Sequence, residues 1–573
     1  MTKFLWKIGG EAGFGIMTSG VTFAKIATRS GYHIFDYAEY PSLVRGGHNT
    51  YEVLFSEEEV FATQKKIDLL ICLNQTTYDF HKSRLDSNSL VVYDNGMFEI
   101  NDNIVKVHLP FKSILQELNG QQVMMNTIVL GATMALLEGD INLLYSMIEE
   151  QFQRKGKEVV DYNKQFAQKG YEYIKNNHPD KIKSILIKKD EKEKLVMTGN
   201  ESFSLGTVTA DCRLYAAYPM TPASSILTVL AQWQNQTGMI VRHAEDEIAV
   251  INTALGSSQS GARSAVGTSG GGFALMTETI SFSGTAELPL VIFLGQRPGP
   301  ATGMPTWTEQ GDLLFACYSG HGEFPKIVLA PGDIDEMLKL TVKAFDLADI
   351  YQVPVIILAD KLLCESHKSL DKEQAMSFMT NYQPNRGKTV CSPTDKPYLR
   401  YKLSDDGISE RLIPGVQGSF YQSNSYEHIE DGHTTEQSKP RFEQVNKRGK
   451  KINTYLTKDF DLPAVYGDVE NANIVFVSWG SNKGAILEAQ KILYAQGTKS
   501  AFIHFTHVYP IDSNKVNGLF SKDKRYILIE NNSQAQFGQL LRMQTGVEIK
   551  EKFLKYDGRP VWVEEIVDYI KKH

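Results

Sequence analysis

The residue types best suited to chemistry sit at the ends of apolar segments. In Ala244-Glu245-Asp246-Glu247-Ile248-Ala249-Val250-Ile251 an acidic triplet opens a stretch that reads as a helix over about 245–255. Steps of three, four and seven residues from Glu247 reach Val250, Ile251 and Ala254, which places Glu247 on the apolar face. A carboxyl buried there favours its neutral, hydrogen-bonding form, the behaviour needed opposite a cofactor nitrogen. Glu245 and Asp246 fall in the first turn, where the helix dipole favours negative charge.

A second candidate is Tyr218-Pro219-Met220-Thr221-Pro222, directly after an apolar strand. Its prolines fix the backbone around Thr221, whose hydroxyl either caps the next helix or faces a ligand. The third is Gln296-Arg297-Pro298-Gly299-Pro300-Ala301-Thr302-Gly303-Met304-Pro305-Thr306. A rigid loop carrying Arg297, Thr302 and Thr306 suits a carboxylate, because arginine offers a two-pronged donor and threonine a neutral one. Between them, Gly267-Thr268-Ser269-Gly270-Gly271-Gly272-Phe273 also follows an apolar strand. Near the amino terminus, Gly9-Gly10-Glu11-Ala12-Gly13-Phe14-Gly15 reads as a strand-to-helix turn. Such a turn permits close backbone approach to an anion. Thr18 stands where a dinucleotide fingerprint needs glycine or alanine, so a plain structural turn explains the glycines equally well. The segment Ser42-Leu43-Val44-Arg45-Gly46-Gly47-His48-Asn49 is either an anion-binding loop after a strand or a surface turn.

Alternating apolar strands and helices must hold these loops. Strands are expected at 4–8, 33–37, 69–72 and 90–93, with a helix over 17–30, then at 214–217, 264–268, 289–295, 326–330 and 353–359, and finally at 474–477, 501–505 and 526–529. Such alternation predicts α/β units with parallel sheets. The lysine-rich stretch 179–195 reads as a charged, solvated linker, and the polar, proline-containing stretch 371–461 as an extended connection with little sheet of its own. The organisation expected is a unit over 1–178, a second over 196–370 and a third over 462–573.

Composition bounds the function. At 573 residues the chain is too long for one core, and 42% hydrophobic with 22% charged residues is ordinary for folded, globular protein. A formal charge of -7 supplies no basic field for nucleic acid. The longest apolar runs, 288–294 and 353–359, are far too short to cross a bilayer, and the amino terminus has no secretory pattern, so a cytoplasmic location is expected. Cys72, Cys212, Cys317, Cys364 and Cys391 form no Cys-x-x-Cys pair, which argues against a zinc site or an iron–sulfur cluster held by this chain alone.

In this order the segments resemble the 2-oxoacid:ferredoxin oxidoreductase family. The resemblance rests on Gly9 to Gly15 and Ser42-x-x-Arg45-Gly46-Gly47-His48-Asn49 for a gamma-type, Rossmann-like domain. For an alpha subunit it rests on Tyr218 to Pro222, Glu245 to Ala249, Thr268-Ser269-Gly270, Arg297 to Thr306, Glu309-Gln310-x-Asp312-Leu313 and Glu530-Asn531-Asn532. It implies a fused gamma–alpha chain: the gamma-type domain, a pyrimidine-type thiamine-diphosphate domain and a transketolase C-terminal-like domain. The implied reaction is CoA-dependent oxidative decarboxylation of a 2-oxoacid, 2-oxoglutarate favoured, to acyl-CoA and CO2 with ferredoxin reduction.

The resemblance further implies that Mg2+, the diphosphate and a [4Fe–4S] cluster belong mainly to a separate beta subunit, in a heterodimer or a dimer of heterodimers. Carried over by residue, Glu247 faces the pyrimidine nitrogen, with Glu245 as the alternative. Glu247, Thr221 and Arg297 are the implied catalytic residues; Tyr218, Pro219, Gly270 and Arg45 join the two glutamates in cofactor binding, and Thr221, Arg297, Thr302 and Thr306 belong to substrate binding. Trp307 replaces the family's usual basic residue, and Ala301 a common serine, so the charge near the carboxylate pocket differs. A pyruvate or broad-range enzyme, a non-redox transketolase-like enzyme and a non-catalytic binding module are the other readings. No Gly-Asp…Asn segment for a Mg2+–diphosphate supports the transketolase reading.

Overall fold

The computed structural model describes residues 3–42, 47–189, 191–392 and 396–573. The chain divides into two compact units. The first comprises Met1–Met197, Ser366–Met376 and Trp562–Lys572, and the second Thr198–Glu365 and Ser377–Val561.

The first unit is built on an eight-stranded sheet. Its order is Val105–His108, Leu90–Tyr93, Leu69–Cys72, Phe4–Glu11, His48–Ser56, His33–Glu39, His367–Asp371 and Lys194–Thr198. The first four strands run parallel, but His48–Ser56 is antiparallel to both Phe4–Glu11 and His33–Glu39. This mixed sheet corrects the expected parallel one. The strand His48–Ser56 carries Glu52 at its centre, fully buried and 2.9 Å from the buried Lys7 ammonium. The pairing partner lies 45 residues away, so the charge interrupts the apolar signal that local sequence would show. Gly9 and Gly10 also lie within a strand, opposite Thr50 and Asn49, and only Gly13 and Gly15 form the turn. The supposed linker is partly bound as well: Leu186 is buried, and the Ile185 and Leu186 amides donate to the Leu137 carbonyl.

In the second unit a seven-stranded sheet runs His507–Tyr509, Ile327–Leu329, Pro354–Asp360, Leu290–Gln296, Arg263–Ser269, Cys212–Ala217 and Ile240–His243. All neighbours are parallel except the first pair. The five strands expected between 214 and 359 are present with ends shifted by one or two residues. Each central strand is buried along its length, as parallel strands covered by helices must be. A five-stranded sheet follows, in the order Ala464–Tyr466, Ser500–Phe505, Ile474–Trp479, Arg525–Glu530 and Glu551–Leu554.

The stretch 371–461 is not simply extended. It contains a 21-residue helix, Ser438–Lys458, whose buried face carries Lys447 and Lys451. Both ammonium groups lie 2.7 Å from the buried carboxylate of Glu287, and the Arg400 guanidinium donates to the Glu287 carbonyl at 2.7 Å. Among the described residues no helix is long and apolar enough to cross a membrane.

Candidate functional site

The site is assembled at the carboxyl ends of parallel strands in the second unit, where the sheet leaves a crevice. After Cys212–Ala217 the chain runs through Tyr218 and Pro219, both exposed, to a cis Thr221–Pro222 peptide. The buried amide of Asn200 holds this turn, donating to the Pro222 carbonyl and the Ser225 hydroxyl at 2.7 Å each. Thr221 does not cap the following helix, because Ser224–Thr237 has Ala223 at its N-cap and no side-chain cap. Instead the Thr221 carbonyl accepts a 2.8 Å hydrogen bond from Arg297 Nη1, which brings two of the candidate residues together.

Glu247 opens the helix Glu247–Gln259, two residues later than the spacing suggested. Asp246 is the N-cap, accepting from the Ala249 amide at 2.8 Å, and Glu245 lies before the helix, exposed. Val250, Ile251 and Ala254 are fully buried on the face that Glu247 shares. Glu247 itself is only 4% exposed, and its Oε1 has no hydrogen-bond partner. Its carboxyl fits against Gly272, where an added Cβ would lie 2.6 Å from Glu247 Oε1 and 2.2 Å from Thr268 Oγ1. Only glycine leaves room there.

Further buried polar atoms lack partners at the ends of these strands and in the loop after Leu290–Gln296. Ser269 Oγ, Gln296 Nε2 and Thr306 Oγ1 are buried without partners. Ser269 pairs with Gly295, so Ser269 and Gln296 end adjacent strands. Buried polar groups are normally paired, so unpaired ones at adjacent strand ends are candidates for ligand contact. Thr302 sits on the exposed crest of its loop, and Arg45 lies outside the described residues.

Two carboxyl groups without a role assigned from sequence, Asp312 and Glu309, lie beside these residues. Asp312 stands against the start of the helix Gly270–Ala286, where a Cβ on Gly270 would lie 2.8 Å from Asp312 Oδ2. Burial pushes its acid up to about 6, opposed by the Arg297 charge. Burial likewise pushes Glu309 up to about 7, with the Asp312 charge adding to the effect. Arg297 is lowered by burial and raised in turn by Asp312. Their shared signal in the sequence was the spacing Glu309-Gln310-x-Asp312.

The sequence matches the family described as pyruvate flavodoxin/ferredoxin oxidoreductase, thiamine diphosphate-binding, over residues 206–447. Residues 5–173 match the family described as pyruvate ferredoxin/flavodoxin oxidoreductase. A 2-oxoacid:ferredoxin oxidoreductase alpha subunit from Saccharolobus solfataricus is 30% identical, covering 99% of this chain and 97% of the relative. The 2-oxoglutarate synthase subunit KorA of Methanothermobacter thermautotrophicus is 27% identical over 66% of this chain and 99% of its own. Among solved structures, the 2-oxoglutarate:ferredoxin oxidoreductase from Magnetococcus marinus, with 2-oxoglutarate, coenzyme A and succinyl-CoA bound, superposes with a TM-score of 0.93 at 28% identity. It covers 100% of this chain and 99% of that one. Fold and site thus define an α/β oxidoreductase subunit with a thiamine-diphosphate-binding domain. The chain belongs to the 2-oxoacid:ferredoxin oxidoreductase family, as an alpha subunit.

Proposed function

We propose that this chain, together with a separate beta subunit, oxidises 2-oxoglutarate with coenzyme A to succinyl-CoA and CO2, passing two electrons to ferredoxin. The observation that carries the reading is the buried, unpartnered Glu247 carboxyl oxygen, set where the chain's own side chains leave it nothing to bond. A carboxyl in that state suits the aminopyrimidine of thiamine diphosphate, which when bound supplies the carbanion chemistry of decarboxylation. Glu247 would hold a proton against a ring nitrogen, and Gly270 and Gly272 would leave room for the ring. Ser269, Gln296 and Thr306 would donate to bound oxygens. Arg297, fixed by the Thr221 carbonyl, would present its remaining N–H groups to a substrate carboxylate.

The names and ligands of the Methanothermobacter and Magnetococcus relatives favour 2-oxoglutarate over pyruvate. Mg2+ and a [4Fe–4S] cluster are assigned to the beta subunit, in keeping with the scattered cysteines, four of which are buried. The test is co-expression with the beta subunit. The pair is expected to be brown and to reduce ferredoxin or viologen with 2-oxoglutarate and coenzyme A, whereas this chain alone is expected to be colourless and inactive. Turnover by the chain alone would sink the division of labour, and a preference for pyruvate would sink the substrate.

A further inference from the structure

Asp312 directly precedes the helix Leu313–Tyr318, the position from which an aspartate ordinarily turns its carboxyl onto the free amides of the first turn. Here it makes no such bond. Gln536 takes its place: Oε1 accepts from the Leu314 amide at 3.0 Å, and Nε2 donates to the Gly311 carbonyl at 2.7 Å. The Asp312 amide is held as well, donating to Gln296 Oε1 at 3.0 Å. The backbone is thus fixed on both sides of Asp312, while its carboxyl accepts no hydrogen bond among the described residues. It stands instead against the start of the helix Gly270–Ala286, which also begins without a side-chain cap. A Cβ on Gly270 would lie 2.8 Å from Asp312 Oδ2 and 3.1 Å from Oδ1, and one on Gly272 would lie 2.6 Å from Glu247 Oε1. Asp312 and Glu247 therefore flank the same first turn.

Arg297 follows Gln296, the side chain that holds Asp312 in place. Its Nη1 donates to the Thr221 carbonyl, and among the described residues its guanidinium forms no ion pair. The two groups are nonetheless close enough to act on each other: the Arg297 charge opposes the burial that pushes the Asp312 acid up to about 6. An anion seated on the free N–H groups of Arg297 therefore comes beside Asp312. An ionised Asp312 repels it, whereas a protonated one donates a hydrogen bond to it. Resting on the reading above, we propose that Asp312 is a further substrate-binding residue: protonated, it donates to an oxygen of the 2-oxoacid that Arg297 holds, so that the acid binds together with a proton. The other charged groups around it are Glu309 on its own loop, Glu247 across the helical turn and Asp360, paired with Gln296 on the next strand. Helix Gly270–Ala286 carries only the exposed Glu278, and Gln536–Thr545 only Arg542, ion-paired with Glu548 at 3.0 Å.

The experiment uses the complex with the beta subunit, saturated with thiamine diphosphate. It reads the KM for 2-oxoglutarate from pH 6 to pH 8, and calorimetric binding of N-oxalylglycine, an unreactive amide analogue, in buffers of different ionisation heat. In wild type the KM is expected to rise about 10-fold or more across that range, because apparent affinity follows the fraction of protein in the competent state. The analogue is expected to bind with uptake of a proton. Asp312→Asn keeps a donor without the charge, so its KM is expected to be flat with pH and about 10-fold below wild type at pH 8. Asp312→Ala loses the donor, and at pH 6 its KM is expected to lie about 10-fold above wild type, the size of one hydrogen bond to a charged group. A steep profile that persists in Asp312→Asn overturns the assignment, as does an effect confined to the thiamine diphosphate needed for saturation. Should the variants fail to assemble, the wild-type heats decide: binding without proton uptake overturns it. A wild-type complex that oxidises no 2-oxoacid sinks the functional reading itself. An active wild type whose KM ignores pH sinks Asp312 alone.

Discussion

Glu247 and Glu245 differ by two positions and by their entire environment. One is 4% exposed with an orphaned oxygen, and the other stands in solvent ahead of the helix. Glu247→Gln keeps the shape and removes the acid, so turnover is expected to fall at least about 100-fold while assembly and melting temperature hold; acid–base roles are worth that much. Glu245→Gln is expected to stay within about 2-fold, the usual reach of an exposed charge. Steady-state rates beside a melting curve decide between them. Glu309 permits a test by pH. Its acid moves from 4.5 to about 7 in the fold, so the folded chain binds a proton that the unfolded chain releases between those values. The stability it lends is complete below about pH 4.5 and is lost as pH rises through about 7. Glu309→Gln is therefore expected to be more stable than wild type at pH 8 by roughly 1–2 kcal/mol, discounted for solvent, and level with it near pH 4.5. Denaturant titrations at both values check the sign.

Elements were legible where apolar residues run without interruption, as in Leu290–Gln296 and Pro354–Asp360, and where a helix repeats every three or four residues, as around Glu247. They were illegible where burial is bought with charge. The helix Ser438–Lys458 turns lysines inward because Glu287, about 160 residues earlier, waits for them. The strand His48–Ser56 hides Glu52 because Lys7 lies opposite. For the same reason Asn200, Asp312 and Glu309 had no assigned role: each acts through partners that only the fold supplies. Glu287 closes the helix Gly270–Ala286 in a left-handed conformation, φ 52, and its two ammonium partners hold its carboxyl well below the usual range despite burial. Glu287→Gln leaves two lysines buried without a counter-charge and is expected to cost about 3–5 kcal/mol. Adding Lys447→Met and Lys451→Met to it is expected to restore most of the loss, because an apolar cluster needs no counter-charge. Chemical denaturation of the single and triple variants measures this, and a triple variant no better than the single would reject the clamp.

Within the second unit, the loop that carries Gln310 is tied to the five-stranded sheet by Gln310 and to the end of strand Leu290–Gln296 by the Asp312 amide, which donates to Gln296 Oε1 at 3.0 Å. The Gln310 amide donates to the Asn531 carbonyl at 2.7 Å and its carbonyl accepts from Asn532 at 3.2 Å. Its side chain donates to the Trp479 carbonyl at 3.2 Å and accepts from Asn482 at 2.8 Å and the Asn531 amide at 3.0 Å. Glu530 completes the junction by accepting from the Phe537 and Gly538 amides at 3.0 Å each. The loop that places Glu309 and Asp312 is thus fixed by the ends of strands Ile474–Trp479 and Arg525–Glu530, and a disturbance in either sheet reaches both carboxyls. Gln310→Ala strands three buried polar groups at once, a loss expected to reach roughly 2–4 kcal/mol. Because Gln310 is bonded to the five-stranded sheet and the nearby Asp312 amide to Gln296 Oε1, faster amide exchange is expected in Leu290–Gln296 and Arg525–Glu530 together, with a fall in turnover as Asp312 leaves the start of the helix Gly270–Ala286. Exchange that quickens only around 309–313 would show that the sheets hold their places without Gln310, and that the site depends on its own loop alone.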